Sequence, residues 1–378
     1  MSPRVGVVGA GQLARMMHQA GIGPGIDVVV LANSEDESAA QVTRHTVLGS
    51  PGELGSLRKL AEAVDVVTFD HELVEPEHLH ALEAEGHVLR PGPVTLEHAV
   101  NKLRQRERFE REGLPLPAWA PASAAPEAAA FAADHGWPVV VKSARGGYDG
   151  RGVWICADEA ELKSVPWGGV AAGFVVEAFV PIERELAGLA VRRPDGETRV
   201  YPVVETVQRD GICQEVIAPA RVEASILREA EEITRAVCDA VGSAGILAVE
   251  LFVAGGRVLI NEIAARPHNS GHFSIEGSVT SQFENHLRGT LDWPLGDTGM
   301  AAPAAAMVNV LGTADVPEPE RLVPGAMGID GAHVHWYGKG SRAGRKLGHV
   351  TATGETAGDA LRVARDAAMI LGQERRSE

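Results

Sequence analysis

The stretch of residues 246–272, ILAVELFVAGGRVLINEIAARPHNSGH, decides the fold. It contains two apolar runs, 246–253 and 258–263, separated by a turn that includes Gly255 and Gly256. Two short apolar runs around a glycine-containing turn are typical of a β-hairpin. The sequence therefore predicts two antiparallel strands here, each with polar residues inside an otherwise apolar pattern.

The register of this hairpin decides which acids meet. A hairpin centred on Gly256 places Glu250 opposite Glu262, whereas a two-residue loop at Gly255-Gly256 places Glu250 opposite Asn261. Two buried carboxylates that face each other need a cation or a shared proton. Two carboxylates and an amide suit Mg²⁺, with Mn²⁺ as the second candidate ion. Asn261 and Glu262 reach one ion only if a bulge or twist interrupts the strand, and the alternative is an exposed edge hairpin with solvated acids.

A cluster of polar residues, 266–272, follows the hairpin and has no apolar period. Arginine, asparagine and serine donors beside a metal site suit an anionic ligand that carries phosphate. The segment 261–288, NEIAARPHNSGHFSIEGSVTSQFENHLR, closely resembles the signature of the 5-(carboxyamino)imidazole ribonucleotide synthase family, which are ATP-grasp carboxylases of purine synthesis. The family usually has a proline at the position of Ala265, and this difference is expected to alter loop stiffness rather than ligand chemistry.

The resemblance implies roles for this cluster in binding the ribonucleotide substrate. Arg266 is expected to steady a carboxylate, and His268 is a candidate base. The substrate-binding residues implied here are Arg266, His268, Asn269 and Ser270.

Composition limits the classes of partner. The chain has 378 residues, enough for two or three domains, and its formal net charge is −16. This charge argues against a general nucleic-acid binder or a protein of anionic membrane surfaces. The three cysteines are far apart in the sequence and are predicted to be reduced thiols of a cytoplasmic protein. The N-terminus is not a signal peptide, and no apolar run approaches the roughly 20 residues that span a bilayer.

The N-terminal hundred residues have the pattern of a doubly wound α/β unit. A strand at 4–8 is followed by a glycine turn and a helix, and a second strand at 28–32 is expected to lead into another helix. A dinucleotide site is one interpretation of the glycine turn, which NADH fluorescence would test. The resemblance implies instead that Gln12 and Leu13 lie near the ribonucleotide.

Another strand ends in acids near residues 64–75. The resembled family has Glu-x-Glu where this chain has Asp70-His71-Glu72. The resemblance implies that Glu72 binds the ribose or amine of the substrate, while a solvated strand end is the alternative. The role of Asp70 stays open at this stage.

Two lysines are candidate ATP ligands. The residues 95–113 predict one charged helix, in which Lys102 occupies the place of a basic residue that touches ATP in the family. Lys142 ends an apolar strand at 138–142, where a lysine is usually paired with an anion. The resemblance implies that Lys142 holds the α- and β-phosphates.

The loop after Lys142 is rich in glycine, which lets backbone N–H groups approach phosphates closely. Its sequence GGYDGRG matches the flap of the family, whereas the alternative is a mobile hairpin loop. The resemblance implies that the flap closes over ATP, that Tyr148 and Arg151 face the second substrate, and that Asp149 takes a proton from its amine. The implied flap contacts are Gly147, Tyr148, Asp149, Gly150, Arg151, Gly152 and Val153.

A strand predicted at 174–186 resembles the segment that holds adenine through backbone groups. Glu185 would take a ribose hydroxyl, and Gln208 stands where the family often has a nucleotide-contacting histidine. Glu177 has the alternative of being an edge-strand acid. The implied adenine slot consists of Glu177, Ala178, Phe179 and Val180.

A basic cluster stands out in the acidic chain, between residues 339 and 349. Its spacing fits a phosphate clamp, and it resembles a family motif that grips the 5′-phosphate and the carboxylate intermediate. The side chains implied to touch substrate are Lys339, Arg345 and Lys346, with Lys339 also steadying the carboxylate.

These observations predict an α/β and α+β protein with an ATP-grasp fold. The expected parts are a Rossmann-like domain (1–100), an ATP-grasp domain (101–300, with a flap subdomain at about 115–180) and a small β-rich domain (301–378). The resemblance implies ATP, bicarbonate and 5-aminoimidazole ribonucleotide as small-molecule substrates, and a homodimer. Alternatives are a formate-dependent glycinamide ribonucleotide transformylase and a non-catalytic nucleotide-binding regulator.

Overall fold

The computed structural model describes residues 2–147, 152–169, 172–314, 316 and 318–373. The N-terminal part has a parallel four-stranded sheet in the order β3-β2-β1-β4. Its strands, which are mostly runs of buried β-branched residues, are β1 (Arg4–Val8), β2 (Asp27–Ala32), β3 (His45–Leu48) and β4 (Val66–Phe69).

The helix expected after the second strand and the polar residues that follow it is wrong. Residues 33–44 form turns, and the next helix begins only at Leu54, after β3. The segment is rich in Asn, Ser and Asp, whose side chains compete with the helix for backbone hydrogen bonds. Here Asn33 uses both its backbone and side-chain nitrogens to donate to Glu37.

A second sheet of four antiparallel strands has the order β5-β8-β6-β7. Its strands are β5 (Trp119–Ala122), β6 (Val139–Ser143), β7 (Val153–Cys156) and β8 (Phe174–Ala178). The strand predicted at 174–186 is therefore interrupted after Ala178. The loop between β6 and β7 includes Tyr148, Asp149, Gly150 and Arg151, which lie outside the described residues.

The third sheet has nine strands and forms the centre of the molecule. Its main path is β14-β13-β9-β11-β12-β15-β17-β16, and β10 pairs with β9. The strands are β9 (Arg184–Arg192), β10 (Thr198–Val200), β11 (Val204–Arg209), β12 (Ile212–Ala218), β13 (Gly245–Ala254), β14 (Arg257–Ala264), β15 (Ala304–Leu311), β16 (Ala332–Trp336) and β17 (Lys346–Gly354).

This sheet continues across the predicted division at residue 300. Strand β12 pairs with β15, with Glu215 opposite Val308. The C-terminal strands therefore extend the same sheet that carries the hairpin, and the division into three domains stays a prediction.

Helices cover the sheets. They are α1 (Gln12–Ile22), α2 (Leu54–Glu62), α3 (Pro76–Ala84), α4 (Pro93–Val100), α5 (Lys102–Arg111), α6 (Ala125–His135), α7 (Glu159–Leu162), α8 (Ala224–Val241), α9 (Ser274–Gly277), α10 (Gln282–Thr290), α11 (Val323–Ala326) and α12 (Ala357–Ile370). In α8 the buried residues recur at helical spacing and pack on the central sheet. Among the helices of the described segments, none combines the length and apolar character needed to cross a membrane.

The single helix predicted at 95–113 is wrong, because the helix is interrupted at Asn101. This residue has an extended backbone (φ −120°, ψ 102°), and its side chain accepts hydrogen bonds from the backbone of Leu103 and Arg104. Asparagine is a strong N-cap residue. The break starts a new helix, α5, whose first residue is Lys102.

Candidate functional site

The hairpin of β13 and β14 combines the two registers that its sequence allows. Ala254 pairs with Arg257, which is the two-residue loop, but the register shifts further along so that Glu250 faces Glu262. The shift makes Asn261 the extra residue of a β-bulge. The bulge that a shared ion requires is therefore present.

The bulge brings the three oxygen-bearing side chains together. Asn261 forms hydrogen bonds with two side chains: its Nδ2 donates to Glu250 Oε2 at 3.3 Å, and its Oδ1 accepts from Lys142 Nζ at 3.0 Å. Glu262 accepts a hydrogen bond from Lys102. Two carboxylates and an amide oxygen fit Mg²⁺ or Mn²⁺. No group of three His, Cys, Asp or Glu suited to a metal occurs within the described residues, so this mixed set is the candidate.

The two carboxylates have opposite proton affinities. Burial, together with the charges of Glu262 and Glu185, raises the pKa of Glu250 to about 8. Burial also opposes ionisation of Glu262, but the adjacent Lys102 ammonium outweighs it and lowers that pKa. One member of the pair thus holds a proton near neutral pH, and a divalent cation would replace that proton.

A buried ion cluster lies behind the hairpin. Arg106, which is fully buried, donates from Nε to Glu177 Oε1 at 2.8 Å and from its second branch to the backbone carbonyl of Asn261 at 2.5 Å. Lys142 Nζ lies 2.7 Å from Glu177 Oε2. Burial raises the pKa of Glu177, but Arg106 and Lys142 outweigh it and hold the pKa at about 2. Burial lowers the pKa of Lys142.

The sequence analysis assigned a role in this charged helix to Lys102 and none to Arg106. A signal was available, because Lys102 and Arg106 are four residues apart and Phe109, three further on, is apolar. This spacing places all three on one helix face. The structure buries that face, and it ties α5 to both β8 and the bulge.

The residues of the predicted adenine slot lie along the chain that leaves β8. Phe179 has 45% of its surface exposed, and Ala178 and Val180 are half-buried. The side chain of Glu177 is committed to the ion cluster, so only its backbone is available for a nucleotide. Glu185, in β9, is half-buried, and burial raises its pKa. Gln208 lies in β11 beside a register shift, half-buried and opposite Cys213. Of the flap residues, Val153 begins β7 and Gly152 directly precedes it, whereas Gly147 lies beyond the end of β6 at Ser143.

The N-terminal sheet meets the loop that follows the hairpin. Glu72 accepts from the backbone nitrogen of Ala265 at 3.0 Å and from Arg266 Nε at 2.7 Å. Gln12, at the start of α1, accepts from Lys339. The structure thus brings these predicted substrate residues together, whereas the side chain of Leu13 is buried in the core.

Asp70 occupies the N-terminus of α1. Its carboxylate accepts from the backbone nitrogens of Gly11, at 2.9 Å, and Ala14, at 2.8 Å. In a dinucleotide site these N–H groups would face the pyrophosphate. The carboxylate fills that place, which disfavours the dinucleotide interpretation.

The loop 268–272 is held by its own hydrogen bonds. His268 Nδ1 lies 2.9 Å from Ser270 Oγ, and its Nε2 lies 3.5 Å from Glu250 Oε1. Burial and the charges of Arg266 and Lys346 lower the pKa of His268 to about 3, so the imidazole is neutral and a weak base. This disfavours His268 as the proton acceptor.

Asn269 has a structural partner that the sequence did not indicate. Its amide exchanges two hydrogen bonds with Asn309, at 3.0 and 2.7 Å, and is buried. Each polar atom of its side chain thereby makes one hydrogen bond, which fixes the loop. An amide has a second N–H and a second lone pair, so the substrate contact of Asn269 stays a prediction.

The C-terminal basic residues lie close enough for their charges to act on one another. Burial lowers the pKa of Lys339 to about 8, with Asp70 opposing the shift and Arg345 and Lys346 adding to it. Arg345 also donates to the carbonyl of Gly340 at 3.1 Å. The positive charges of these predicted phosphate ligands therefore lie near one another, and Lys339 connects them to Gln12.

Three family models match the chain: a ribonucleotide synthetase preATP-grasp domain over residues 2–100, an ATP-grasp domain over 107–283, and a phosphoribosylaminoimidazole carboxylase C-terminal domain over 305–363. The N5-carboxyaminoimidazole ribonucleotide synthase of Mycobacterium bovis is 45% identical, covering 94% of this chain and 84% of the relative. That of Corynebacterium ammoniagenes is 42% identical, covering 98% and 92%.

A solved structure has the same fold along nearly its whole length. The N5-carboxyaminoimidazole synthase of Aspergillus clavatus, in complex with ADP and 5-aminoimidazole ribonucleotide, superposes with a TM-score of 0.90 at 32% identity, covering 98% of this chain and 99% of that one. The ATP-grasp architecture expected from the sequence is therefore confirmed. The chain belongs to the N5-carboxyaminoimidazole ribonucleotide synthase family of ATP-grasp ligases.

Proposed function

We propose that the chain carboxylates 5-aminoimidazole ribonucleotide with bicarbonate, using ATP and passing through carboxyphosphate, to give 5-(carboxyamino)imidazole ribonucleotide. The observation that carries this proposal is two chemically different groups of side chains joined by one short segment. One group has the oxygen ligands of the hairpin with the buried Arg106 and Lys142 and the partly buried Lys102, and the other has Lys339, Gln12 and Arg266. The segment 261–268, which begins in β14 and continues into the loop after it, joins the two groups.

The charges on the hairpin side favour an anion. Three basic residues, Arg106, Lys142 and Lys102, lie within ion-pair distance of two carboxylates, Glu177 and Glu262, and burial raises the pKa of the third carboxyl group, that of Glu250, to about 8. The basic residues of the site thus outnumber the carboxylates with which they pair. Fixed positive charge of this kind stabilises a transferring phosphoryl group. In this proposal Lys142 and Lys102 contact the phosphates of ATP, and the slot from Glu177 to Val180 holds the base through its backbone.

The hairpin residues Glu250, Asn261 and Glu262 would hold Mg²⁺ or Mn²⁺, which neutralises charge on the phosphates when bound. Lys102 and Lys142 now donate to two of these side chains, so they would turn towards the nucleotide as the ion binds. The proposed base, Asp149, lies in the flap, outside the described residues, together with Tyr148 and Arg151.

On the other side, Lys339 and Arg266 would steady the carboxylate that forms, and Arg345 and Lys346 would bind the 5′-phosphate. Glu72 orients Arg266 through its Nε, and Nη1 of Arg266 donates to the carbonyl of Pro267 at 3.1 Å. A guanidinium has five N–H donors, so donors remain for an anion. A homodimer and a cytoplasmic location stay predictions from the sequence.

The proposal predicts that ADP release is strongly stimulated by 5-aminoimidazole ribonucleotide when MgATP and bicarbonate are present. A coupled assay measures the ADP, and loss of the free arylamine measures the product. Replacing bicarbonate with formate is the control, since a formate-dependent transformylase would prefer it. ADP release that is indifferent to the ribonucleotide would mean another acceptor, and no release at all would favour a non-catalytic regulator.

The affinity for 5-aminoimidazole ribonucleotide is expected to fall as the pH rises through about 8, because Lys339 loses its charge there. The substrate phosphate has a second pKa of about 6 and keeps its charge over this range. Isothermal titration at several pH values measures the dissociation constant. Lys339→Arg is the matched control, because a guanidinium stays protonated and should remove the dependence. An equal pH slope in Lys339→Arg would show that another group titrates.

A further inference from the structure

The two backbone carbonyls before Lys339 accept hydrogen bonds from side chains near the N-terminus. Ser38 Oγ donates to the carbonyl of Tyr337 at 2.5 Å, and Gln41 Nε2 donates to the carbonyl of Gly338 at 2.9 Å. These consecutive carbonyls directly precede Lys339. The turn segment 33–44, in which the sequence predicted a helix, thus fixes the backbone from which this lysine extends.

The turn segment is itself anchored. Arg15, in α1, donates to the carbonyl of Ser38 at 2.8 Å, and the backbone nitrogen of Ala39 donates to the carbonyl of Ala10 at 2.8 Å. Ser38 is only 3% exposed. The two donors therefore have defined positions relative to α1, where Gln12 lies.

The two residues before Lys339, Tyr337 and Gly338, are also closely packed. Gly338 has φ +66°, a backbone conformation that favours glycine, and a Cβ there would lie 2.5 Å from Gln41 Oε1 and displace that side chain. The ring of Tyr337 is buried, with its hydroxyl 2.6 Å from His349 Nδ1 and its centroid 5.7 Å from Lys339 Nζ. Lys339 also donates to Gln12. The N-terminal part of the chain therefore contacts both the backbone that precedes Lys339 and its ammonium group.

We propose that Ser38 and Gln41 are positioning residues for Lys339, which hold its ammonium group where it meets the anionic part of the ribonucleotide. This inference rests on the proposed function. Neither residue touches the substrate in this account. They act through the Tyr337 and Gly338 carbonyls, so that the N-terminal part builds a site whose lysine comes from the C-terminal part.

Position matters more than stability here. Removal of a donor lowers the stability of the fold when it leaves a buried acceptor unpaired, whereas a displacement of about 1 Å in a reacting group costs up to about 100-fold in rate. Loss of both donors is therefore expected to leave the chain folded, although less stable, and ATP binding intact. Its effect should fall on the ribonucleotide alone.

The test compares Ser38→Ala/Gln41→Ala with the wild-type chain, and repeats the comparison in a Lys339→Met background. The dissociation constant of 5-aminoimidazole ribonucleotide, kcat, and KM for ATP are measured. The double variant should weaken ribonucleotide binding and lower kcat/KM for it by about 10- to 100-fold, with KM for ATP unchanged. In the Lys339→Met background the same two changes should weaken binding no further, because residues that act through one group are not additive.

Thr43→Ala is the matched control, since Thr43 lies in the same segment and pairs with Thr46 at 3.3 Å instead of with the lysine loop. It should leave all three quantities unchanged. Equal losses in the two backgrounds, or an equal rise in KM for ATP, would overturn the positioning role. Wild-type ADP release that ignores the ribonucleotide would instead overturn the proposed function, and ribonucleotide-stimulated release with full activity in Lys339→Met would overturn the role of the lysine and with it this inference.

Discussion

Glu177→Gln is expected to lower the free energy of unfolding by about 3–5 kcal/mol, the range for breaking a buried ion pair. The substitution keeps the size of the side chain but leaves Arg106 and Lys142, both buried, with no carboxylate between them. The pKa of Glu177, about 2, indicates a loss of free energy of unfolding of similar size. A carboxyl held about 2.5 units below its ordinary value stabilises the folded state by about 3 kcal/mol.

The sign of the pH dependence follows from these shifts. The pKa of Glu177 is depressed, so its contribution is present at neutral pH and is lost as the pH falls from about 4.5 towards about 2. In the variant, the buried Lys142 has no anion and sheds its proton more easily. The stability of Glu177→Gln should therefore recover partly as the pH is raised, because the penalty of the buried charge disappears with the proton.

Urea unfolding of the wild-type chain and the variant measures the difference, and ADP titration measures nucleotide affinity, which should fall as Lys142 loses its charge. The matched control is Glu85→Gln. Glu85 also receives two branches of an arginine, Arg58, but on the exposed surface, where solvent screens the pair. A loss of stability in Glu177→Gln no larger than that in Glu85→Gln would show that the buried cluster does not stabilise the fold.

The sequence predicted the parts of the site that depend on local pattern. The two acids of the hairpin, the lysine at the end of β6 and the basic cluster near Lys339 are visible as breaks in apolar runs or in an acidic chain. Their resemblance to one family added the expected ligands. The alternation of residues along a strand was enough to show that Asn261 and Glu262 share an ion only across a bulge.

The rest depends on contacts between distant segments. Asn261 becomes the bulged residue while the two-residue loop is kept, and Arg106 supports the bulge from a helix 155 residues away. The pairing of Asn269 with Asn309, and of Ser38 with Tyr337, likewise joins segments far apart in sequence. The repeated strand–helix pattern also misled at the turn segment 33–44, because side chains that bond to the backbone favour turns there. No periodicity in one segment encodes such partners.

Glu250→Gln is expected to raise the Mg²⁺ requirement of ADP formation by about 100-fold or more, since disturbing even an outer-shell partner of a metal costs about 10- to 100-fold. Glu250 is predicted to supply one of the three ligands, across the bulge from Glu262. A metal ion binds the carboxylate after displacing its proton, whereas an amide has no negatively charged form to offer.

The same substitution should leave the metal-free protein as stable as the wild type at pH 7. The pKa of Glu250, about 8, means that its carboxyl group is mostly protonated there, and a neutral amide of the same size replaces it closely. The contrast with Glu177→Gln is the informative part. Two identical chemical changes, at acids of neighbouring clusters, should differ sharply in stability because one acid is ionised and the other is not.

Binding of Mn²⁺, followed by electron paramagnetic resonance, measures the ion directly and without turnover. Urea unfolding in the presence of a chelator measures the stability of the metal-free protein. Glu183→Gln is the matched control, because Glu183 contacts the same hairpin at its turn, where its Oε1 accepts from the backbone nitrogen of Gly255 at 2.8 Å. It lies away from Glu262 and should leave the affinity for Mn²⁺ unchanged. Unaltered Mn²⁺ affinity in Glu250→Gln would remove Glu250 from the ligand set, and a large loss of metal-free stability would show that Glu250 is ionised in the folded chain.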